Sequence, residues 1–385
     1  MKNEFFDETE WKTICDRGIV NIGNHYRISK TINKAREGKP INIGFIGGSI
    51  TAGSLASLPE TCYAYLVYRW WKEKFPGSHI GYVNAGIGAT TSQYGVARVF
   101  GDLLRYEPDV VFVEFSVNDS TEDKYMETYE GLIRRILGHP KESAVIIINN
   151  VCYDNGSNAQ EIHNRIGMYY DLPIVSIKDS IYTEVEKGRV KAESITPDNL
   201  HPNDRGHRLI ADVIINFLES IYDRALHKQV IDEFYALPEK TLTKNRYINS
   251  VLYNNLNFQP ELYGFKADTS KKEGLWDVFR QGWHAKDKGS NIRFSAECCG
   301  LSVLYRKYVR KEAENELFAP VARLVVDNNE DKAIILDARF DQDWGDYLYL
   351  HDIFKYDTPD KHTVDITVTD QAEGRDFYLA AIIMF

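Results

Sequence analysis

No stretch of about 18 uncharged apolar residues occurs anywhere in the 385-residue chain, which excludes a membrane-spanning helix. After Lys2 the chain runs Asn3-Glu4-Phe5-Phe6-Asp7-Glu8, without the apolar core of a secretory signal. Cysteine is scarce: Cys15, Cys62, Cys152, Cys298 and Cys299 are odd in number and scattered, which matches neither a disulfide framework nor a zinc site. Reduced thiols in a cytoplasmic protein are the expectation. Basic residues are outnumbered, 46 Lys and Arg against 56 Asp and Glu, and they form no stripe with interleaved aromatics. A net charge of −10 argues against a nucleic-acid partner, because phosphate binding draws on clustered cations. There is no internal repeat and no low-complexity segment.

What is present is an alternation. Apolar runs at Ile41–Ile46, His79–Asn84, Val110–Phe115, Ala144–Asn149 and Ile174–Ile177 are each followed by an amphipathic stretch, namely Tyr63–Lys74, Ser92–Arg105, Tyr125–Leu137, Ala159–Tyr170 and Arg205–Tyr222. Short continuous apolar runs bounded by Gly, Pro or Asn read as strands of a parallel sheet buried on both faces. Residues 41–225 are therefore expected to form a three-layer α/β/α domain. Residues 226–247 read as a helix and linker. From 248 to 385 short alternating runs recur between turn signals (Leu301–Tyr308, Arg323–Val326, Ala333–Leu336, Tyr347–Leu350, His362–Thr369, Phe377–Met384), the pattern of a β-sandwich. Residues 1–40 have no clear period and are expected to dock on one of the domains.

Three strand ends carry residues of chemical interest, and ligands in open α/β sheets gather at such ends. Gly47-Gly48-Ser49-Ile50-Thr51 turns an apolar strand sharply into a serine. It is not the Gly-x-Ser-x-Gly elbow, and it lacks the lysine of a phosphate-binding loop. Asn84–Ser92 follows the next strand with small residues that let a main-chain N–H approach a ligand oxygen. Asn118, in Ser116-Val117-Asn118-Asp119, can present an amide N–H to an oxyanion. Each also has a bland reading, as an N-cap serine, a tight turn or an Asn-Asp turn pair. Downstream, Asp198-Asn199-Leu200-His201-Pro202 spaces a carboxylate to reach the imidazole Nδ1 and leave Nε2 for a serine hydroxyl. His207, at the start of a helix, reads as a structural or solvated residue.

In this order the four segments resemble the blocks of the SGNH hydrolases, the GDSL-type esterase and lipase superfamily, over about residues 41–222. The resemblance implies a flavodoxin-like sheet, a Ser49–His201–Asp198 triad, and an oxyanion hole built from the Ser49 N–H, a main-chain N–H of Gly88 or Ala89, and the Asn118 side chain. It implies no cofactor. Gly48 stands where the commoner pattern has Asp, and Ala89 where it usually has Gly. An SGNH domain followed by a jelly-roll-like β-sandwich resembles bacterial carbohydrate acetylesterases of the acetyl-mannan type, with a carbohydrate-binding-like module. The expected partner is then an acetylated oligosaccharide such as a mannan or xylan fragment, with no membrane or nucleic acid, and self-association open. Another small acyl ester or thioester, or a non-catalytic carbohydrate-binding role, are the alternatives.

Trp276, Trp283 and Trp344 are candidate sugar platforms, although a core or rim position is the simpler reading for each, with Trp344 in the polar loop Asp341–Asp346 expected to be the most exposed. That loop is expected to cover the Ser49 site, from its own or a partner chain, and to help select substrate. Asp341, Asp343 and Asp346 have the short oxygen spacing that suits structural calcium, although a solvated turn is the simpler reading.

Overall fold

The computed structural model describes residues 4–226, 234–311 and 318–385. The chain divides into two units, Met1–Ile248 and Asn249–Phe385, each with its own apolar core.

In the first unit every apolar run named above is a strand: β2 (Ile41–Gly47), β3 (Ile80–Gly86), β4 (Val110–Glu114), β5 (Ala144–Asn149) and β6 (Ile174–Ser176). They are parallel, in the order β3-β2-β4-β5-β6. β4, β5 and β6 are buried along their whole length, so both sheet faces are covered and no in/out alternation shows in the sequence. A short strand, β1 (Ile19–Asn21), pairs antiparallel with β6 at the sheet edge. The helices are α1 (Glu8–Arg17), α2 (Tyr26–Arg36), α3 (Ser49–Ala52), α4 (Tyr63–Lys74), α5 (Ser92–Asp102), α6 (Asp123–Leu137), α7 (Gln160–Tyr169), α8 (Thr183–Glu186), α9 (Ala192–Ile195) and α10 (Asp204–Leu226).

Residues 4–40 are integral to this unit. A capping box between Asp7 and Glu10 starts α1, which buries Trp11, Ile14 and Cys15, and Asn216 on α10 donates to Asp16 at 2.9 Å. Of the expected helix and linker, residues 227–233 lie outside the described residues. Residues 234–248 instead strap α6: Leu242 and Thr243 N–H donate to Glu130, and Arg246 pairs with Glu127 at 2.9 Å.

The strand order positions the site. Counted from β2, it is the 2-1-3-4-5 order of flavodoxin-like sheets, whose switch point lies between the first and third strands. Those strands are β2 and β4, and they are in register so that Gly47 faces both Gly86 and Glu114 at the carboxyl edge. The segments bearing Ser49, Gly88 and Asn118 therefore leave the sheet side by side.

The second unit is a separate, almost wholly antiparallel sheet domain of strands β7 (Val251–Tyr253), β8 (Glu261–Tyr263), β9 (Lys266–Ala267), β10 (Trp283–Ala285), β11 (Asn291–Val309), β12 (Val321–Val326), β13 (Ile334–Asp337), β14 (Arg339–Phe340), β15 (Tyr347–Asp370) and β16 (Phe377–Met384). Val364, Ile366 and Val368 are buried while Thr363, Asp365 and Thr367 are not, as their alternation requires. The runs at Tyr347–Leu350 and His362–Thr369 are the two ends of one 24-residue strand, paired along β11 with irregularities at Cys298/Gly300 and Leu301/Ser302.

Candidate active site

β2 ends on Gly47, Gly48 stays extended (φ −88°, ψ −150°), and Ser49 opens the single turn α3, closed by Gly53 at φ +96°. The turn lies directly on β3, since a Cβ at Gly86 would sit 2.2 Å from the Ala52 nitrogen. A Cβ at Gly48 would sit 2.2 Å from Asn118 Oδ1. Glycine at 48, where the commoner pattern has Asp, is thus a matter of space rather than of backbone angle.

Ser49 is 8% exposed, and its Oγ lies 2.8 Å from His201 Nε2. His201 Nδ1 lies 2.6 Å from Asp198 Oδ2. The other carboxylate oxygen accepts the His201 N–H at 2.7 Å and the Leu200 N–H at 3.0 Å. Partial burial pushes the Asp198 carboxyl up, but the imidazole and the two backbone N–H groups outweigh it and hold the group below its usual range. An ionised Asp198 makes Nδ1 the protonated nitrogen, which leaves Nε2 to accept the Ser49 hydroxyl proton. The turn needs Asn199 at φ +62°, a conformation asparagine tolerates, and the Asn199 carbonyl is fixed by the Tyr153 N–H at 2.7 Å.

Gly88 packs against Ser49: a Cβ on it would lie 3.7 Å from the serine Cβ. Ala89 has φ +55°, so alanine occupies the left-handed region that glycine normally fills. Asn118 stands against Gly48 with its Oδ1 buried and without a partner. Ser49, Gly88, Ala89, Asn118, Asp198 and His201 are thus gathered at one rim, although four loops supply them.

His207 has another job. Its Nδ1 accepts the Tyr63 N–H at 3.3 Å, so its Nε2–H donates to the Ser54 carbonyl at 3.2 Å. Burial pushes its pKa down to about 4, and the ring is neutral.

The sequence alone assigns no role to three buried polar groups near the rim. Arg98, 2% exposed, donates to the Ala85 carbonyl at 2.8 Å and the Gly47 carbonyl at 3.2 Å, tying β3 to β2. Glu114, fully buried, accepts from Thr51 Oγ1 at 3.2 Å and Ser116 N–H at 3.2 Å; burial outweighs these bonds and pushes its pKa up to about 7. Asp119 accepts the Ser92 N–H at 2.9 Å and contacts the His163 ring at 3.1 Å. A carboxylate ending the apolar run Val110–Val113 was the available signal for Glu114.

In the second unit Trp344 is 52% exposed, with Phe340 4.9 Å and Tyr347 5.3 Å from its ring. Trp276 is more exposed still, at 68%, and Trp283 is a core residue at 1%, opposite Leu379 on β16. The greater exposure of Trp276 differs from expectation, whereas the indole at 283 takes the core reading: it faces inward on a paired strand, so it is no sugar platform. Asp346 pairs with Arg306 (Nε at 2.8 Å) and accepts the Val309 N–H, and among the described residues no three His, Cys, Asp or Glu side chains converge as metal ligands.

Residues 45–209 match the GDSL-like Lipase/Acylhydrolase family. A two-domain esterase (CEX) active on acetylated mannans, crystallised with mannopentaose, is 45% identical over 96% of this chain and 97% of its own, with a TM-score of 0.89. A second structure of such an esterase, also 45% identical, gives 0.90 over 96% of this chain and 98% of that one. The chain belongs to the GDSL-like lipase/acylhydrolase family. It is a carboxylic ester hydrolase with the two-domain build of those esterases. A more distant member, thioesterase 1/protease 1/lysophospholipase L1 of Escherichia coli (strain K12), is 25% identical over 183 residues, 46% of this chain and 82% of that protein.

Proposed function

We propose that this GDSL-like hydrolase removes O-acetyl groups from mannan-type oligosaccharides through a Ser49–His201–Asp198 triad and an acetyl-enzyme. The observation that carries the reading is the unbroken chain Asp198 Oδ2–His201–Ser49 Oγ, with links of 2.6 and 2.8 Å. Ser49 Oγ attacks the acetyl carbonyl carbon while His201 Nε2 takes the hydroxyl proton. Asp198 holds the ring and stabilises the imidazolium. The oxyanion is met by the Ser49 N–H, a main-chain N–H at Gly88 or Ala89, and the Asn118 amide. As the C–O bond to the sugar breaks, His201 returns its proton to the departing sugar oxygen. Water, deprotonated by His201, then releases acetate and restores the serine.

The substrate class is favoured because likeness to the acetyl-mannan esterase runs through both units at 45% identity, whereas the thioesterase match spans 46% of the chain at 25%. The exposed Trp344 ring, with half-buried Phe340 and Tyr347 packed against it, supplies a face of the kind that stacks on pyranose rings. The test is mass spectrometry of acetylated mannan, xylan and pectin oligosaccharides incubated with the protein. Loss of acetyl from mannan fragments with wild type and none with Ser49→Ala is expected; acetyl loss that survives Ser49→Ala would overturn the assignment.

A further inference from the structure

Asp198, His201, Asp204 and His207 recur at intervals of three residues, yet the triad uses only the first two. Asp204 is not needed to cap α10, because Asn203 Oδ1 already accepts the Arg205 and Gly206 N–H groups at 3.0 and 3.1 Å. Its carboxylate reaches across to the loop that follows the serine turn. It accepts the Ser57 N–H at 2.8 Å, the Ser57 hydroxyl at 2.6 Å and the Thr61 hydroxyl at 2.6 Å. That loop has little apolar anchorage, since Leu55 and Leu58 are 50% and 58% exposed. One turn further on, His207 donates to the Ser54 carbonyl, while the Ser54 N–H donates to the Ser49 carbonyl at 3.0 Å. A single residue, Ser54, therefore bridges the serine turn and the first turn of α10.

From these two independent ties we propose that Asp204 and His207 are positioning residues: together they clamp residues 54–63 to the helix that follows His201, and so set the Ser49 Oγ to His201 Nε2 distance. His207 performs this as a neutral ring with one nitrogen accepting and the other donating, an arrangement that Gln can imitate and Leu cannot. Asp204 performs it as a double acceptor, which Asn reproduces in part. The proposal rests on the esterase reading, because the distance matters only if Ser49 and His201 react together.

The test compares Asp204→Ala, Asp204→Asn, His207→Leu and His207→Gln by kcat, KM, melting temperature and the second-order rate of Ser49 labelling by a fluorophosphonate. In Asp204→Ala and His207→Leu, kcat and the labelling rate are expected to fall together, by about 10- to 100-fold, with KM within about two-fold. The conservative Asp204→Asn and His207→Gln variants should recover most of both rates. If His207→Leu does not fold, Asp204→Ala, which removes no apolar packing, decides. Unchanged kcat and labelling per folded molecule in Asp204→Ala, even with a lowered melting temperature, would overturn the clamp. Absence of Ser49 labelling in wild type would instead overturn the esterase reading, and the clamp with it.

Discussion

Replacing Gly48 by Ala tests the oxyanion arrangement without touching a reactive group. The added Cβ would meet Asn118 Oδ1 at 2.2 Å, against an ordinary contact of about 3.5 Å, so the amide must retreat by about 1 Å. The backbone itself accepts alanine, because φ at 48 is −88°. Overpacking costs about 1–3 kcal/mol, partly offset by the roughly 0.4–1 kcal/mol that a Gly→Ala change gains from a stiffer unfolded chain. The larger effect should be kinetic. Losing one oxyanion donor costs about 10²–10³ in kcat, or about 2.7–4 kcal/mol of barrier. Steady-state turnover of a chromogenic acetyl ester should therefore show kcat down by about that factor and KM little changed. The decisive step is a double-mutant cycle with Asn118→Ala, which should lose as much alone and lose nothing further when Gly48→Ala is added. Full kcat in Gly48→Ala, or losses that multiply in the double variant, would refute the reasoning.

Ala89→Gly should raise stability by a few tenths to about 1 kcal/mol in denaturant titration, because it relieves a left-handed alanine at φ +55° while loosening the unfolded chain. His207 is held neutral in the folded state and titrates at about 4 there against 6.5 when free; the stability it contributes is present above 6.5 and lost as pH falls to about 4. At about 1.4 kcal/mol per pK unit that is about 3 kcal/mol, and His207→Gln should flatten the acid limb of the stability profile between those values. Glu114 has the opposite sign: its pKa is raised from 4.5 to about 7, so its contribution is complete below 4.5 and lost as pH rises through 7, and Glu114→Gln should remove that loss between about 4.5 and 7. Trp344→Ala should lower turnover of acetylated oligosaccharides several-fold, at about 1 kcal/mol or more per lost stacking face, and leave a small chromogenic ester untouched; equal effects on both would remove its sugar-binding role.

The strands β2, β4, β5 and β6 were legible because burial on both faces leaves a nearly unbroken apolar run, a local property of the chain, whereas β3 is half-buried from Gly81 to Asn84 and shows that run less cleanly. β1 was not: three residues cannot display a period, and its strand conformation is set by pairing with β6. The length of β15 was hidden for a related reason: its middle from Lys355 to Lys361 is exposed and mostly polar, and four of its residues fall between the register pairs Lys355–Gly300 and Asp360–Cys298. Among site residues, Ser49, Asn118, Asp198 and His201 stood in motifs whose chemistry reads locally. Arg98 and Glu114 did not, because their meaning lies in the Ala85 and Gly47 carbonyls of β3 and β2 and in the Thr51 hydroxyl of α3. Asp204 has no local signal of its own, because its partners lie more than 140 residues away. The same limit left Trp283 open between core and sugar platform, because its inward face is decided by strand pairing.

The most direct measurement is peptide mapping after treatment with a serine-reactive phosphonate. One equivalent of label on Ser49 in wild type, with labelling lost in His201→Ala, is the expected result. Label on another residue, or undiminished labelling of Ser49 without the imidazole at 201, would contradict it.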